Sequence, residues 1–256
     1  MKEAIIFDFG FTLFYFENAS LEKYLNCFRE GLEEVLSFLK MHNILASEKA
    51  EEKFRVLFTS SRKRYFSLIE KTNREYRTSD LISLVLKKLI DLQLIEISLD
   101  SVDQLTAKLA NIFHSYEAKA WHPYENTRET LEEIKEKHNI KLAVLSNHPH
   151  HEMIYNLMAH YNLLHYFDVV ITSAKVGFRK PHQKIFYFTL NQLDLSKKTK
   201  SCAICGDEYA DIVGGRRVGL ETILYERTYK FPVEKEIKGT NYILIKDISE
   251  ILDHLN

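Results

Sequence analysis

The chain has 256 residues, of which 45% are hydrophobic and 28% are charged, a balance that suits a globular protein with a sizeable core. Its 35 Lys and Arg against 36 Asp and Glu leave a formal net charge of -1, so no global attraction to nucleic acid or to an anionic membrane is expected. The start of the chain shows no signal-peptide pattern, and no stretch is apolar enough to span a bilayer. We therefore expect a cytoplasmic protein with no nucleic-acid or membrane partner.

The first predicted element is a buried strand in residues 4–13, where a run of apolar side chains meets a single carboxylate, Asp8. An ionised carboxylate at the end of an apolar strand needs a cation, a metal or a chemical role to offset the cost of its burial. Asp8 is therefore the first candidate functional residue. An Asp that caps a turn also fits this position.

Residues 17–116 then show helical periodicity and no strand pattern. Apolar side chains recur at helical spacing in four stretches, at 21–39, 54–58, 81–90 and 105–113. Ser79 and Ser101 stand where the N-caps of the last two helices are expected. We predict an all-helical insertion at residues 17–118.

From residue 121 onward, short apolar strands alternate with amphipathic helices. Strands are predicted at 141–146, 168–172, 202–205, 222–225 and 242–245, and helices at 127–137, 151–160, 183–193, 211–218 and from 249. Such alternation is typical of a parallel sheet covered by helices on both faces. We predict an α/β fold whose Rossmann-like, doubly wound core consists of residues 1–16 and 119–256.

Polar residues that follow successive strands form one chemical set, and ligands of such sheets bind at the carboxyl ends of the strands. In strand order these residues are Asp8, then Ser146 with Asn147, then Lys180, then Asp207 with Asp211. A carboxylate nucleophile, a hydroxyl and amide pair, an ammonium and an acidic pair are what phosphoryl transfer to Asp8 requires. Asp8 and Asp207 can share Mg²⁺, while Lys180 offsets the remaining negative charge.

With this set in place, the chain resembles the haloacid dehalogenase-like (HAD) hydrolase superfamily. The four motifs of that superfamily are present as FDFGFTL, VLSN, GFRKPHQKIF and CGDEYADIVGGRRVGL, and the helical insertion stands where the family carries a helical cap. The resemblance implies a nucleophile, a charge stabiliser, two phosphoryl contacts and an orienting residue for the nucleophile loop: Asp8, Lys180, Ser146, Asn147 and Thr12. It also implies that Mg²⁺ is bound by Asp8, the Gly10 carbonyl, Asp207 and Asp211.

The sequence departs from the family pattern at Gly10. Phosphatases of the family usually carry a second Asp there, which protonates the leaving alcohol and later activates the hydrolytic water. Glycine can do neither, and losing a positioned general acid/base typically costs about 10²–10⁴-fold in rate. His148, in the turn after Asn147, and Glu208 are the candidate substitute acids.

The sequence therefore predicts a Mg²⁺-dependent phosphatase that acts on a small phosphorylated metabolite through an aspartyl-phosphate on Asp8. Two alternatives stay open: a poorly active or non-catalytic phosphate-binding relative, and a 2-haloacid dehalogenase. The dehalogenase branch also lacks an Asp at the position of Gly10, because a halide needs no proton. That branch lacks the acidic metal pair as well, so Asp207 and Asp211 favour a phosphorylated ligand.

Overall fold

A computed structural model describes residues 2–227, 229–232 and 234–255. Its strands are β1 (Ala4–Phe7), β2 (Phe14–Phe16), β3 (Trp121–Pro123), β4 (Lys141–Ser146), β5 (Val169–Thr172), β6 (Cys202–Gly206), β7 (Glu221–Tyr225) and β8 (Ile243–Ile245). Its helices are α1 (Leu21–Met41), α2 (Glu48–Thr72), α3 (Thr78–Asp91), α4 (Leu99–Phe113), α5 (Ser115–Lys119), α6 (Thr127–His138), α7 (His151–His160), α8 (Ser173–Val176), α9 (Gln183–Gln192) and α10 (Tyr209–Arg217). Short 3₁₀ segments lie at Leu164–Tyr166, Thr199–Ser201 and Ile248–His254.

The chain folds into two compact units. One, the core unit, consists of Met1–Leu21 and Ala120–Asn256, and the other, the helical unit, is Glu22–Lys119. Every residue of the helical unit is described, and its elements are helices throughout. The helical unit begins later than residue 17 because the chain first forms β2 and then enters α1.

The core unit contains a parallel sheet with the strand order β5-β4-β1-β6-β7-β8. This confirms the predicted α/β fold. The chain builds outward from β1 in one direction through β4 and β5, and then in the other through β6, β7 and β8. A strand order that reverses in this way opens a crevice at the carboxyl ends of the central strands. The sheet therefore places its ligand-binding edge beside the ends of β1, β4 and β6.

The side chains of β1 are buried on both faces of the sheet, where they point alternately into two apolar layers. Ala4 and Ile6 belong to a cluster that includes Phe186 of α9, and the intervening Ile5 and Phe7 are equally inaccessible to solvent. A strand that is buried on both faces carries a continuous apolar run instead of an alternating one. The run at the start of the chain thus fixes β1 in the centre of the sheet.

A two-stranded antiparallel ribbon was not predicted. It pairs β2 with β3, so Phe16 lies opposite Trp121 and Tyr15 opposite His122. Each strand has only three residues, and the helical unit separates the two strands in the sequence. The aromatic residues that follow Asp8 therefore fold back on the core unit itself.

The helical unit has its own apolar core, in which Phe54 and Phe58 of α2 pack near Phe113 of α4.

The two predicted N-caps were wrong. The hydroxyl of Ser98, not that of Ser101, caps α4 by accepting from the Ser101 amide at 3.2 Å, and α3 begins at Thr78, before Ser79. Within the described part of the chain, none of the helices combines the length and the apolar composition that crossing a bilayer requires.

Candidate active site

Three carboxylates converge where β1 and β6 end. Asp8 follows β1 directly, Asp207 follows β6, and Asp211 lies in the first turn of α10. Their side chains are buried, and one carboxylate oxygen from each lies within 4.8 Å of the others. The Asp8 amide donates to the Cys205 carbonyl at 2.9 Å, which holds the start of the loop against the neighbouring strand. The structure thus brings together the three acids that the sequence singled out.

Lys180 joins two of these acids. Its Nζ donates to Asp8 Oδ1 at 2.7 Å and to Asp211 Oδ1 at 2.6 Å, and its side chain is fully buried. Burial alone would lower the pKa of Lys180, but the nearby Asp211 and Asp8 outweigh it and hold that pKa above its ordinary value. Lys180 therefore stays charged and fixes the orientation of the Asp8 carboxylate.

The side chain of Asn147 holds the backbone of Lys180 in place. Asn147 Oδ1 accepts from the Lys180 amide at 2.7 Å, and Asn147 Nδ2 donates to the Lys180 carbonyl at 3.1 Å. Ser146 is buried at the end of β4, beside Asn147. Phosphoryl contact by Ser146 and Asn147 stays a prediction, and the structure adds a positioning role for Asn147 that the sequence did not indicate.

Gly206 allows Asp211 to approach the end of β6. A Cβ atom at position 206 would lie 2.2 Å from Asp211 Cγ, which no pair of non-bonded carbons tolerates. Asp211 Oδ2 also accepts from the Glu208 amide at 3.4 Å, at the start of α10. Gly206 and Asp211 therefore pack against each other, and Asp211 also holds the start of α10 through the Glu208 amide.

Asp207 has two partners, and one of them was missed in the sequence. Thr12 Oγ1 donates to Asp207 Oδ1 at 3.3 Å, which links the nucleophile loop to the end of β6. Arg227 Nη1 pairs with Asp207 Oδ2 at 2.6 Å. Arg227 follows β7, the next strand of the sheet, so the rule that located the other residues at strand ends would have found it.

Trp121 fills the space beside Gly10. A Cβ atom at position 10 would lie 2.8 Å from Trp121 Cη2, so the indole occupies the space that a side chain would need. Trp121 also packs edge-on against Phe9 and Phe11, on either side of Gly10. The loop after Asp8 is therefore built around glycine and tryptophan together.

The two candidate substitute acids differ in their surroundings. His148 is buried, and its Nδ1 lies 2.8 Å from the His150 carbonyl oxygen. Glu208 precedes α10, where burial raises the pKa of its carboxyl, Lys180 opposes that rise and Asp8 adds to it. A carboxyl with a raised pKa near the nucleophile has the property that a general acid needs. The surroundings of Glu208 therefore suit this role.

A family described as haloacid dehalogenase-like hydrolase matches residues 56–225, more than half of the chain. The chain belongs to this family. The match includes Asn147, Lys180, Asp207 and Asp211, and it begins after Asp8. The resemblance carried by the four motifs is therefore confirmed, and the protein is a HAD-like hydrolase.

This hydrolase has similar relatives with different named activities. The pyrophosphatase PpaX of Bacillus mycoides is 26% identical over 186 residues, which cover 72% of this chain and 84% of the relative. The glyceraldehyde 3-phosphate phosphatase of Methanothermobacter thermautotrophicus is 31% identical over 149 residues, 56% of this chain and 63% of the relative. A 2-haloacid dehalogenase structure from Pseudomonas syringae covers 100% of this chain and 98% of its own at a TM-score of 0.66, and its 18% identity shows a shared fold alone.

The acidic cluster of the hydrolase has the composition of a site for a hard divalent cation. Carboxylate oxygens are the ligands that Mg²⁺ prefers, and three of them lie close together here in buried side chains, where their repulsion is poorly screened. Burial raises the pKa of Asp207 well above its ordinary value, and Asp8 adds to the effect while Arg227 opposes it. Burial likewise raises the pKa of Asp211 to about 8, against the influence of Lys180. The residues present thus fit a Mg²⁺ ion.

These pKa values predict how the stability of the metal-free hydrolase depends on pH. Between about pH 4 and pH 8, folded Asp211 holds a proton that it would release on unfolding, because its ordinary pKa is 3.8. The free energy of unfolding should therefore fall as pH rises through this window, by up to about 1.4 kcal/mol per pH unit from this group. Urea denaturation in EDTA at several pH values measures the slope.

Asp211→Asn is neutral at every pH, so it should flatten that slope. An unchanged slope in the variant, or a wild-type protein that becomes more stable as pH rises from 5 to 8, would contradict the raised pKa of Asp211.

Proposed function

We propose that this hydrolase is a Mg²⁺-dependent phosphatase that moves a phosphoryl group from a small phosphorylated metabolite to Asp8 and then to water. The observation that carries the proposal is the buried contact of Lys180 with both Asp8 and Asp211, beside Asp207. An acidic cluster that can hold Mg²⁺, together with a buried lysine, suits a ligand that carries several negative oxygens. Relatives named as a pyrophosphatase and a glyceraldehyde 3-phosphate phosphatase support this substrate class.

In this mechanism an Asp8 carboxylate oxygen forms a bond to phosphorus as the bond to the leaving oxygen breaks. Lys180 holds Asp8 Oδ1, so the carboxylate is oriented before the substrate arrives, and Asn147 keeps the Lys180 backbone in register. Mg²⁺ held by Asp8, Asp207, Asp211 and the Gly10 carbonyl would supply charge neutralisation to the phosphoryl oxygens. Water then attacks the aspartyl-phosphate and restores the Asp8 carboxylate.

The helical unit takes the role of a substrate-selecting cap in this proposal. It is a compact unit with a buried apolar core of its own, whereas the acidic cluster lies in the core unit. Thr12 orients the nucleophile loop through its bond to Asp207. Ser146 and Asn147 contact the transferred phosphoryl group, and Asn147 also positions Lys180.

Two alternative functions remain distinct from this proposal. A non-catalytic phosphate-binding relative is consistent with the missing acid at Gly10, since binding needs charge and no proton transfer. A 2-haloacid dehalogenase shares the fold and needs no acid at that position. The convergence of Asp207 and Asp211 favours the phosphatase over the dehalogenase, because halide release has no use for a divalent cation.

The metal site predicts that Mg²⁺ binds to the native protein and that Asp207→Asn weakens this binding strongly, because the substitution removes one of three converging charges. Isothermal titration calorimetry on the metal-free protein measures the affinity. Asp253→Asn, which changes an exposed acid in the terminal 3₁₀ segment, is the control and should leave the affinity unchanged. Native protein that binds no Mg²⁺, or an Asp207→Asn variant that binds Mg²⁺ as tightly as the native protein, would contradict the predicted metal site.

The glycine at position 10 predicts a rate that depends steeply on the acidity of the leaving group. Aryl and acyl phosphates should be hydrolysed and simple sugar phosphates hardly at all, unless Glu208 or His148 supplies the proton. Steady-state kinetics over a series of leaving groups, with Mg²⁺ present, measures the dependence. Equal rates on alkyl and aryl phosphates would show that another group acts as the acid.

Restoring the acid requires more than one substitution. Gly10→Asp alone should destabilise the protein, because its Cβ would meet the Trp121 indole at 2.8 Å. Gly10→Asp combined with Trp121→Leu removes the ring from that space. We expect the double variant to gain activity on alkyl phosphates, approaching the 10²–10⁴-fold typical of general acid/base catalysis, relative to Trp121→Leu alone. No gain, despite a folded double variant, would place the acid elsewhere.

A further inference from the structure

Arg227 is a buried cation to which the proposed mechanism gives no task. Its side chain is 4% exposed, Nη1 contacts Asp207 Oδ2, and Nη2 contacts Glu234. Glu234 lies nearer to solvent, with its side chain 21% exposed. A guanidinium is always charged and offers five N–H donors in a planar fork. Two carboxylate contacts leave part of that fork unused.

Two buried N–H donors beside the nucleophile loop lack an acceptor. In the described part of the chain, neither Arg227 Nε nor Trp121 Nε1 has a hydrogen-bond partner. Both side chains pack on Phe11, the residue after Gly10: the Arg227 guanidinium carbon lies 4.9 Å from the ring centroid, and the Trp121 and Phe11 centroids lie 5.2 Å apart. Buried donors are nearly always paired in folded proteins, so unpaired donors at this loop indicate a ligand with acceptor oxygens.

The balance of buried charge gives the same indication. With the metal bound and all three acids ionised, Asp8, Asp207 and Asp211 would carry three negative charges, which a divalent cation and Lys180 would neutralise. Arg227 would then be left with Glu234 as its carboxylate partner, whose side chain is 21% exposed. An anion that reaches Arg227 would therefore meet a guanidinium whose charge the more exposed Glu234 offsets only in part, in a poorly solvated environment where opposite charges attract strongly.

We infer that Arg227 is a substrate-binding residue that pairs with an anionic leaving group and offsets its charge in place of the acid missing at Gly10. This inference rests on the proposed phosphatase function and narrows its substrates to those whose leaving group carries its own anionic oxygens. Inorganic diphosphate is the simplest example. A guanidinium does not give up its proton, so Arg227 assists departure by hydrogen bonding and charge.

The reaction is balanced without a general acid. The Asp8 oxygen bonds to the unprotonated phosphorus end of a singly protonated diphosphate, the bridging P–O bond breaks, and its electron pair leaves with the second phosphate as hydrogen phosphate, which Arg227 holds. Water then adds to the aspartyl-phosphate, the bond between Asp8 and phosphorus breaks, and both protons of the water stay on the phosphate that is released. Phosphate is an acidic leaving group, so the glycine at position 10 costs little for this substrate.

Binding to the Asp8→Asn full-length protein tests this role without turnover. Calorimetry with excess Mg²⁺ compares inorganic diphosphate with inorganic orthophosphate, before and after the further substitution Arg227→Gln. We expect Arg227→Gln to weaken diphosphate binding by about tenfold or more and orthophosphate binding by less than about threefold, since only diphosphate reaches Arg227. Arg217→Gln removes an exposed arginine from α10 and should change neither affinity.

Arg227→Lys keeps the charge and loses the planar fork, so it should give an intermediate loss that is again specific to diphosphate. It also carries the test if Arg227→Gln does not fold. An equal loss for both anions, no loss for either, or an Asp8→Asn protein that binds no diphosphate would overturn the inference. Wild-type protein that hydrolyses no phosphate of any kind would instead defeat the proposed function, while an Arg227-dependent preference for diphosphate would still stand.

Discussion

The buried ion pairs of Lys180 are the interaction on which the rest of the site depends. One ammonium group contacts carboxylates from two different strand ends, Asp8 after β1 and Asp211 after β6. Without it, carboxylates would face one another in a medium that screens charge poorly, and breaking a buried ion pair typically costs about 3–5 kcal/mol. Lys180 lies in a loop after β5, and the side chain of Asn147 holds that loop in place through hydrogen bonds to the Lys180 backbone. Four strands of the sheet, β1, β4, β5 and β6, are thus tied together at their carboxyl ends.

The same arrangement explains why the acids are poised for a cation. Lys180 takes one oxygen of Asp8 and one of Asp211, while Thr12 and Arg227 take the oxygens of Asp207. Burial still raises the pKa of both Asp207 and Asp211, so the protein groups alone do not balance the cluster. A divalent ion or protons must complete it. Competition between these two partners couples the affinity for metal to pH.

Much of the fold followed from the sequence because the apolar pattern is unambiguous. A parallel sheet buried on both faces predicts continuous apolar strands, and polar residues at their ends predict the convergence of Asp8, Asp207 and Asp211. The β2–β3 ribbon could not be predicted from the sequence, because three-residue strands carry almost no periodicity and their pairing is non-local. The contact of Asn147 with Lys180 and the packing of Trp121 on Gly10 are likewise tertiary contacts with no local signal. Arg227 is a different case, because it follows β7, and polar residues after strand ends are the signal that located the other site residues.

Gly10 is enclosed by its neighbours. The Trp121 indole occupies the space that a side chain at position 10 would need, while Arg227 brings a positive charge to the next residue, Phe11. In the proposed mechanism, apolar packing and a fixed cation take the place of proton transfer at this end of the site. Such an arrangement favours substrates that leave as stable anions over those that leave as alkoxides.

The central claim of this account is that Asp8 becomes phosphorylated. The most direct measurement is mass spectrometry of the protein mixed with Mg²⁺ and acetyl phosphate and quenched in acid, followed by peptide mapping. The account predicts a single phosphoryl adduct on the peptide that contains Asp8, lost in Asp8→Asn and in samples that contain EDTA. Steady hydrolysis without any adduct on Asp8, or an adduct that persists in Asp8→Asn, would contradict it.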